Sequence, residues 1–300
     1  MPQIDKPMYQ NKSRTPRGTC AITGGNGFVG QALSNYLQNI GWNVVQIGRS
    51  KPQTLSSNCS DINFSLGDEL DPKCINGIDA LVHCAYDYSL TKWSDINKTN
   101  IEGTERLFKS AYTGGITNIL YISSISAFPS AVSSYGRAKY TCETLARQYQ
   151  GTSIRVGLVF DGENRGTIGA IEKIVKSFPI IPLFMPKKRL YLCNRVDLCR
   201  CIDGLLLDSG RVDCITVANS EPLTFLDLIR AFQNKHQRIM PIIVFPWRLV
   251  WLLIRISEFF GLRLPIRSDA ILGFIHQNNK PDFMNFKEHN FPIRNDVCDV

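Results

Sequence analysis

The chain of 300 residues contains 44% hydrophobic and 20% charged residues, which is typical of globular proteins and excludes a disordered polymer. The length exceeds one ordinary compact core, so we expect a large α/β domain or a core domain with a smaller companion. The 34 basic and 26 acidic residues give a net charge of +8, which favours anionic partners such as phosphates and nucleotides.

Residues 1–17 form a polar, basic tail that lacks the apolar stretch of a signal peptide. The ten cysteines are scattered, no Cys-x-x-Cys pair occurs, and no Cys/His group has zinc-ligand spacing. We therefore expect reduced cysteines, no metal site and a cytoplasmic protein. Positive charge is the only feature that suggests nucleic acid, so we expect no nucleic-acid partner.

From Gly18 onward, short apolar runs alternate with helical stretches. The pattern predicts strands at 19–23, 43–47, 80–84, 118–122 and 153–159, and helices at about 28–39, 100–112 and 134–150. Strands rich in Val and Ile that alternate with helices indicate a doubly wound parallel sheet, the α/β Rossmann fold. We assign residues 18–162 to this nucleotide-binding domain.

Beyond residue 162 the alternation weakens, which predicts a small, partly interleaved C-terminal domain. Residues 163–300 would mainly bind substrate, with about 190–217 returning to the core. Helices are predicted at about 195–206, 224–234 and 247–260, and a strand at 214–217. The basic run of Lys187, Lys188 and Arg189 would either attract a diphosphate or lie in solvent.

The stretch from Trp247 to Phe260 is the most hydrophobic in the chain. Its longest apolar run, 249–254, lies between Arg248 and Arg255 and is far shorter than a membrane span of about 20 residues. We expect a buried helix that faces the substrate or a partner subunit. Peripheral contact with a membrane surface is the alternative.

A glycine motif follows the first predicted strand. In Gly24-x-x-Gly27-x-x-Gly30, the first glycine permits a tight turn, the second lets the backbone approach a pyrophosphate, and the third permits close helix packing. Phe28 and Val29 open the helix, whose free N–H groups favour an anion. The motif predicts dinucleotide binding.

The end of the second predicted strand indicates which dinucleotide binds. No acidic residue occurs between Gly24 and Ser60, so no carboxylate is available there for the ribose 2′-hydroxyl of NAD. Arg49, with Ser50 and Lys51 beside it, would instead bind the 2′-phosphate of NADP. We favour NADP and retain NAD as the alternative.

Tyr135 and Lys139 lie four residues apart in a predicted helix and therefore share one face. An ammonium near a phenol lowers its pKa, so Tyr135 would exchange a proton with a carbinol or carbonyl oxygen. Ser124 follows the strand 118–122, at the sheet edge where ligands of such folds bind. We predict Ser124, Tyr135 and Lys139 as catalytic, and Ser124, Ser126 and Tyr135 as substrate contacts.

Together, the glycine loop, the serine at the strand end and the Tyr/Lys pair resemble the extended short-chain dehydrogenase/reductase family, in particular its sugar-nucleotide epimerases and reductases. Further motifs of that family follow in order at 67–70, 79–85, 100–104, 155–160 and 195–198. The resemblance implies cofactor contacts by Tyr135 and Lys139 and by Asp68, Glu69, Cys84, Ala85, Tyr86, Asn100 and Leu158.

Two departures from the family pattern affect the predicted site. Ser124 precedes Tyr135 by 11 residues, about half the family's spacing, so the loop that covers the substrate is short. Ser124-Ile125-Ser126 stands where the family's dehydratases carry an Asp-Glu pair, so we expect no elimination of water. In addition, Tyr86 replaces an alanine of the family pattern.

The resemblance implies an NAD(P)-dependent oxidoreductase or epimerase, specifically a 4-epimerase or 4-ketoreductase of a nucleotide sugar. The expected partners are that small-molecule substrate and a second copy of the chain in a homodimer. One alternative is a carbonyl reductase of the same family that acts on a non-sugar substrate. The other is a dinucleotide-binding scaffold without turnover.

Overall fold

The computed structural model describes residues 17–49, 61–162, 165–208, 210–262 and 266–285. The strands are β1 Thr19–Thr23, β2 Asn43–Gly48, β3 Asp61–Asn63, β4 Ala80–His83, β5 Asn118–Ser124, β6 Thr152–Val156, β7 Leu158–Phe160, β8 Ile181–Leu183, β9 Arg189–Leu190, β10 Leu192–Asn194, β11 Cys214–Val217, β12 Leu223–Thr224 and β13 Ile242–Val244. The helices are α1 Phe28–Asn39, α2 Trp93–Ile96, α3 Glu102–Thr113, α4 Ser134–Gln148, α5 Gly166–Ser177, α6 Arg195–Leu207, α7 Phe225–Lys235, α8 Trp247–Phe259 and α9 Ser268–Ile275.

A seven-stranded sheet in the order β11-β6-β5-β4-β1-β2-β3 forms the centre, and every neighbouring pair is parallel. The predicted doubly wound parallel sheet is therefore confirmed. The chain runs outward from β1 in both directions, so the connections diverge between β1 and β4. A crevice outside the carboxyl ends of these strands is the usual ligand site of such sheets.

Side chains that alternate along the strands fill both faces of the sheet. On β1, Cys20 and Ile22 pack in one core with Leu33 of α1 and Ile202 of α6. Ala21 points the other way, into a second core with residues of α3 and α4. Because both faces of the sheet are buried, the sequences of these strands are continuous runs of apolar residues.

The C-terminal half has a third core between α5, α7 and three short strand pairs. Not all of this half lies apart from the sheet, since β11 pairs with β6 and α6 packs on α1. The segment 266–285 lies against the body of the chain. Lys188 Nζ donates to the carbonyl of Ile275 at 2.8 Å, and the Tyr191 hydroxyl donates to the carbonyl of Asn279 at 2.9 Å. Lys188 is thus buried and hydrogen-bonded there.

The strand predicted at 153–159 is two strands, because the chain leaves the central sheet at Gly157. The Gly157 N–H donates to Val217 at 3.1 Å, and the next N–H, of Leu158, donates to Tyr191 at 2.8 Å. A Cβ on Gly157 would collide with the Tyr191 carbonyl oxygen. The close approach therefore requires glycine, and β7 pairs with β10 instead.

The expectation of a buried helix at 247–260 is wrong. None of the 13 residues of α8 is buried, although the helix packs against α9. The periodicity of the sequence could not reveal this exposure, because an apolar helix has the same sequence pattern whether or not another element covers it. Among the described residues, no helix is both long and apolar enough to cross a membrane.

A buried ion pair connects α4 to the sheet. Glu143 of α4 is 4% exposed and accepts hydrogen bonds from Nε and Nη2 of Arg155 on β6, at 2.9 and 2.7 Å. Its Oε1 also accepts from Oγ of Ser123 on β5, at 2.6 Å. Three elements therefore meet at one carboxylate, which fixes α4 against the ends of β5 and β6.

Replacing this carboxylate should destabilise the fold. We expect Glu143→Gln to lower the free energy of unfolding by about 2–4 kcal/mol, because it leaves the charge of Arg155 without its partner. Urea denaturation measures the loss. The control is Asp213→Asn, which removes an exposed pair with Arg147 of the same helix and should cost less than about 1 kcal/mol. Equal losses in both variants would contradict this role of Glu143.

Candidate active site

Two glycines of the predicted motif are required by close packing. Gly24 has a φ of +69°, and a Cβ there would lie 2.8 Å from the backbone nitrogen of Ala85. A Cβ on Gly30 would collide with the carbonyl oxygen of Gly24. Gly30 thus lets the helix approach its own loop, whereas the sequence predicted packing on the sheet. The result is a loop pressed against the residues after β4.

The N-terminus of α1 faces the crevice without a side-chain cap. Its N-cap is Gly27, no side chain bonds there, and the first turn has no acidic residue. Gly27 is exposed, and Phe28 and Val29 are partly exposed. The first N–H groups of α1 and the positive end of the helix dipole are therefore available to an anion.

The predicted catalytic side chains lie together. Ser124 ends β5, Tyr135 lies in the first turn of α4, and the Ser124 hydroxyl lies near enough to the Tyr135 phenol to lower its pKa. The Ser126 N–H donates to Ser124 Oγ at 3.1 Å and orients it. Ser133 caps α4 by accepting from the Gly136 N–H at 3.0 Å, so the helix begins at Ser134, directly before Tyr135. The short loop therefore still brings Ser124 and Tyr135 into contact.

Lys139 places a buried ammonium one turn farther along α4. The residue is 2% exposed, and its Nζ donates to the carbonyl of Ile122 at 2.8 Å. The rings of Tyr121, Tyr86 and Tyr135 surround it, with centroids 4.7, 5.1 and 5.9 Å from Nζ. Burial lowers the pKa of Lys139 to about 8. The Ile122 carbonyl uses one of three N–H donors, which leaves two for a ligand.

Tyrosine rings from the loop after β4 pack on Tyr135. The Tyr86 and Tyr88 ring centroids lie 5.1 and 5.7 Å from that of Tyr135, and 4.8 Å from each other. Tyr88 is 63% exposed, yet its ring stacks on that of Tyr135 and raises the Tyr135 pKa. Sequence reasoning missed Tyr88, because no motif contains it.

The expected lowering of the Tyr135 pKa is not found in this structure. Burial raises its pKa well above the usual range, the neighbouring Tyr88 raises it further, and the nearby Ser124 hydroxyl only partly opposes them. Lys139 Nζ donates to the carbonyl of Ile122 at 2.8 Å and lies 5.9 Å from the centroid of the Tyr135 ring. Tyr135 is therefore a protonated phenol at neutral pH.

Asn100 holds the tyrosine loop from behind. Its Oδ1 accepts from the Asp87 N–H at 2.7 Å, and its Nδ2 donates to the Asp87 carbonyl at 3.2 Å. Asn100 is only 1% exposed. The neighbouring His83 is also committed to the core, where its ring bonds to Thr23 and Thr104 and burial lowers its pKa to about 3.

Two residues of the C-terminal segment complete the site. The Asp269 carboxylate accepts from the N–H groups of Ser134 and Tyr135, at 2.8 and 3.1 Å. It therefore caps the N-terminus of α4 from another helix. Arg267 donates to the carbonyls of Tyr88 and Leu90. Asp269 precedes an apolar run, which is a helix-start signal, but sequence could not reveal that it caps α4.

The remaining predicted cofactor residues lie around the crevice. Cys84 and Ala85 follow β4 beside Gly24, and Leu158 begins β7. Asp68 and Glu69 lie in an exposed turn, where the Asp68 carboxylate accepts from Ser65 at 3.2 Å.

Arg49 is exposed directly after β2, at the same sheet edge as the glycine loop. Ser50 and Lys51 lie outside the described residues.

This arrangement fits a nicotinamide dinucleotide. Gly24 and Gly30 leave no room for a Cβ at their own positions, so the backbone of the loop could approach a pyrophosphate at the uncapped end of α1. Lys139 has N–H donors to spare for ribose hydroxyls. Both features lie on the crevice between β1 and β4.

The pKa of Lys139 predicts a pH-dependent cost to stability. Below pH 8 the Lys139 amine is charged in both the folded and the unfolded chain, so folding carries the full free-energy cost of burying the ammonium. Between pH 8 and about 10.4 the folded chain loses this proton first, and the cost disappears. We expect Lys139→Met to exceed wild type in stability by up to about 3 kcal/mol below pH 8, and this difference to vanish by about pH 10.5.

Urea denaturation across this pH range measures the difference between the two proteins. Lys109→Met, on the exposed side of α3, is the control and should give a difference that does not change with pH. A pH-independent difference for Lys139→Met would show that burial does not shift its titration.

This chain is similar to several known proteins. A ceramide reductase of Caulobacter vibrioides is 24% identical over 187 residues, which are 60% of this chain and 58% of the reductase. The UDP-N-acetylglucosamine 4-epimerase of Methanobrevibacter ruminantium, solved with UDP-N-acetylmuramic acid, has a TM-score of 0.74 at 14% identity and covers 95% of this chain and 96% of its own. The UDP-glucuronic acid 4-epimerase of Bacillus cereus, solved with NAD, has a TM-score of 0.66 at 17% identity and covers 85% and 96%.

The solved structures share the fold of this chain at identities too low to show more. The NAD dependent epimerase/dehydratase family model matches residues 20–160, which include the glycine loop, Ser124, Tyr135 and Lys139. The resemblance that the motifs predicted is thereby confirmed. Over residues 20–160, just under half of its length, the chain is similar to the NAD-dependent epimerase/dehydratase family.

Proposed function

We propose that the chain is an NAD(P)-dependent oxidoreductase that epimerises or reduces a nucleotide sugar at C4. The observation that carries this proposal is the contact of Ser124, Tyr135 and Lys139 beside the glycine loop. A scaffold without turnover needs none of these side chains, so their assembly favours an enzyme.

The side chains of the site have different roles at the reacting oxygen of the substrate. Ser124 Oγ holds that oxygen, and the Tyr135 hydroxyl gives it a proton on reduction or takes one on oxidation. A bound nicotinamide dinucleotide supplies the acceptor or donor of hydride. Lys139 binds its ribose and places a positive charge near the phenol. Because Tyr135 is protonated at neutral pH in this structure, it starts as a proton donor.

The side chain of Tyr88 must move away from Tyr135 during this reaction. Its ring stacks on that of Tyr135, whose hydroxyl is the group that a substrate oxygen has to reach. Tyr88 lies in a loop and is largely exposed, so displacing its ring breaks few contacts. We infer that substrate binding displaces the Tyr88 ring and opens access to the phenol.

Support for a nucleotide sugar comes from the solved UDP-sugar epimerases, which share the fold over nearly the whole chain. A carbonyl reductase acting on a non-sugar substrate is the second candidate. Tyr86 and Tyr88 favour it, because they line Tyr135 with aromatic surface, and a relative of the chain is a ceramide reductase.

The finer choices are proposals of the same kind. We propose a preference for NADP over NAD, because Arg49 is exposed at the end of β2. A homodimer and a cytoplasmic location also stay predictions.

Turnover can be tested with a panel of nucleotide sugars, 4-keto sugars and apolar ketones, each with NAD(H) and NADP(H). We expect an epimer or a 4-hydroxy product and a change in reduced-nicotinamide absorbance wherever net reduction occurs. Tyr135→Phe should reduce kcat at least a hundredfold and leave cofactor affinity near wild type, since only the proton is lost.

Tyr140→Phe, on another face of α4, is the matched control and should keep wild-type kcat. Turnover of Tyr135→Phe at the wild-type rate would contradict the role of the phenol. Turnover of apolar ketones alone would select the second candidate. No 4-keto-6-deoxy product should form, because Ser124-Ile125-Ser126 supplies no acid pair for removing water.

Cofactor choice should depend on Arg49. A charge-assisted contact with the 2′-phosphate contributes roughly 1.5–3 kcal/mol, so NADP(H) should bind about ten- to a hundredfold more tightly than NAD(H). Arg49→Asp should reverse the order, and added salt should weaken NADP binding more than NAD binding. Calorimetric titration of both cofactors measures this, and NAD binding as tight as NADP binding in wild type would show that Arg49 faces solvent.

A further inference from the structure

The exposed face of α8 is the largest unexplained feature of the described chain. We define the α8 surface as Leu249, Leu252, Leu253, Ile256, Phe259 and Phe260, which are between 45% and 86% exposed. They recur at intervals of three and four residues, so they form one continuous stripe along the helix.

The apolar area extends beyond the helix itself. β13 leads into α8, and its residues Ile243 and Val244 are 43% and 57% exposed. Apolar patches of this extent are unusual on a monomeric protein and mark contact with a partner or a membrane.

The charges around the stripe are positive. Residues 247–267 contain four arginines, one glutamate and neither lysine nor aspartate. Arg248 and Arg255 are exposed and lie on the same side of α8 as Leu252 and Phe259. The glutamate, Glu258, accepts from the N–H and the hydroxyl of Ser268, at 2.9 and 2.6 Å, and its Oε2 lies 3.6 Å from Nη1 of Arg255, so Arg248 is the arginine of α8 without an acidic neighbour on its own helix.

We propose that the α8 surface docks on an anionic lipid bilayer, with the helix lying in the plane of the interface. An apolar stripe edged by arginines has the chemistry of an interfacial helix, because the side chains enter the acyl boundary while the guanidinium groups reach phosphate. A contact with a second copy would place two faces of the same positive charge against each other, which disfavours that occupant.

Docking would bring the active site to the membrane. Glu258 of α8 holds Ser268, and the residues on either side of Ser268 are Arg267, which binds the Tyr88 loop, and Asp269, which caps α4. One short segment therefore connects the docked helix to Tyr135. A substrate anchored in the membrane would meet the site without leaving the interface.

Vesicle sedimentation of the full chain tests the proposal. We expect binding to phosphatidylcholine vesicles with 30% phosphatidylglycerol and at least tenfold weaker binding to pure phosphatidylcholine. Leu253→Glu combined with Phe260→Glu should reduce binding to the anionic vesicles at least tenfold. Arg248→Gln and Arg255→Gln should each reduce it about fivefold, since each cation contributes about 1 kcal/mol near such a surface.

Leu207→Glu is the matched control, because Leu207 is 56% exposed at the end of α6 and lies outside the α8 surface. It should bind vesicles as wild type does. The far-ultraviolet circular dichroism and cofactor affinity of every variant should match wild type, so a failure of docking is distinguishable from a failure of the proposed function.

Two results would overturn the proposal. The first is that the wild-type protein sediments with neither kind of vesicle, or that the Leu253/Phe260 double variant sediments with the anionic vesicles as much as wild type does. The second is a wild-type dimer, measured by analytical ultracentrifugation, that the same variant dissociates while vesicle binding is absent. That result would assign the α8 surface to a subunit interface.

Discussion

The site depends on a buried ammonium without a carboxylate in hydrogen-bond contact. Lys139 is held by one carbonyl, that of Ile122, and by the faces of Tyr86, Tyr121 and Tyr135. Burying a cation this way is costly, which the lowered pKa of Lys139 reflects. Burying a packed apolar side chain at this position would cost less free energy than burying the ammonium. Retaining the ammonium indicates a task other than stability, since functional sites commonly sacrifice stability for chemistry.

The position of that ammonium depends on contacts that arrive from distant parts of the sequence. Glu143 fixes the body of α4 to β5 and β6, and Asp269 caps its N-terminus. Asn100 and Arg267 hold the tyrosine loop from opposite ends. Segments from both halves of the chain thus define the surroundings of Tyr135, so the C-terminal segment is part of the site.

Sequence reasoning worked where the physics is local. The parallel sheet follows from apolar runs between helical stretches, and the glycine loop from the need for backbone without Cβ at Gly24 and Gly30. It failed where a distant group decides the outcome. Gly157 ends a strand because of the Tyr191 carbonyl, α8 stays exposed because nothing described covers it, and burial, reinforced by Tyr88, raises the pKa of Tyr135. Neither Tyr191 nor Tyr88 is adjacent in the sequence to the residue it affects.

We propose that Lys139 binds the ribose of a nicotinamide dinucleotide. Isothermal titration of the preferred reduced cofactor into wild type and Lys139→Met tests it most directly. The account predicts one dinucleotide per wild-type chain and at least tenfold weaker binding to the variant, because charge-assisted hydrogen bonds are lost while the glycine loop stays intact. Equal affinity of the two proteins would contradict it and would leave the buried ammonium without a role in cofactor binding.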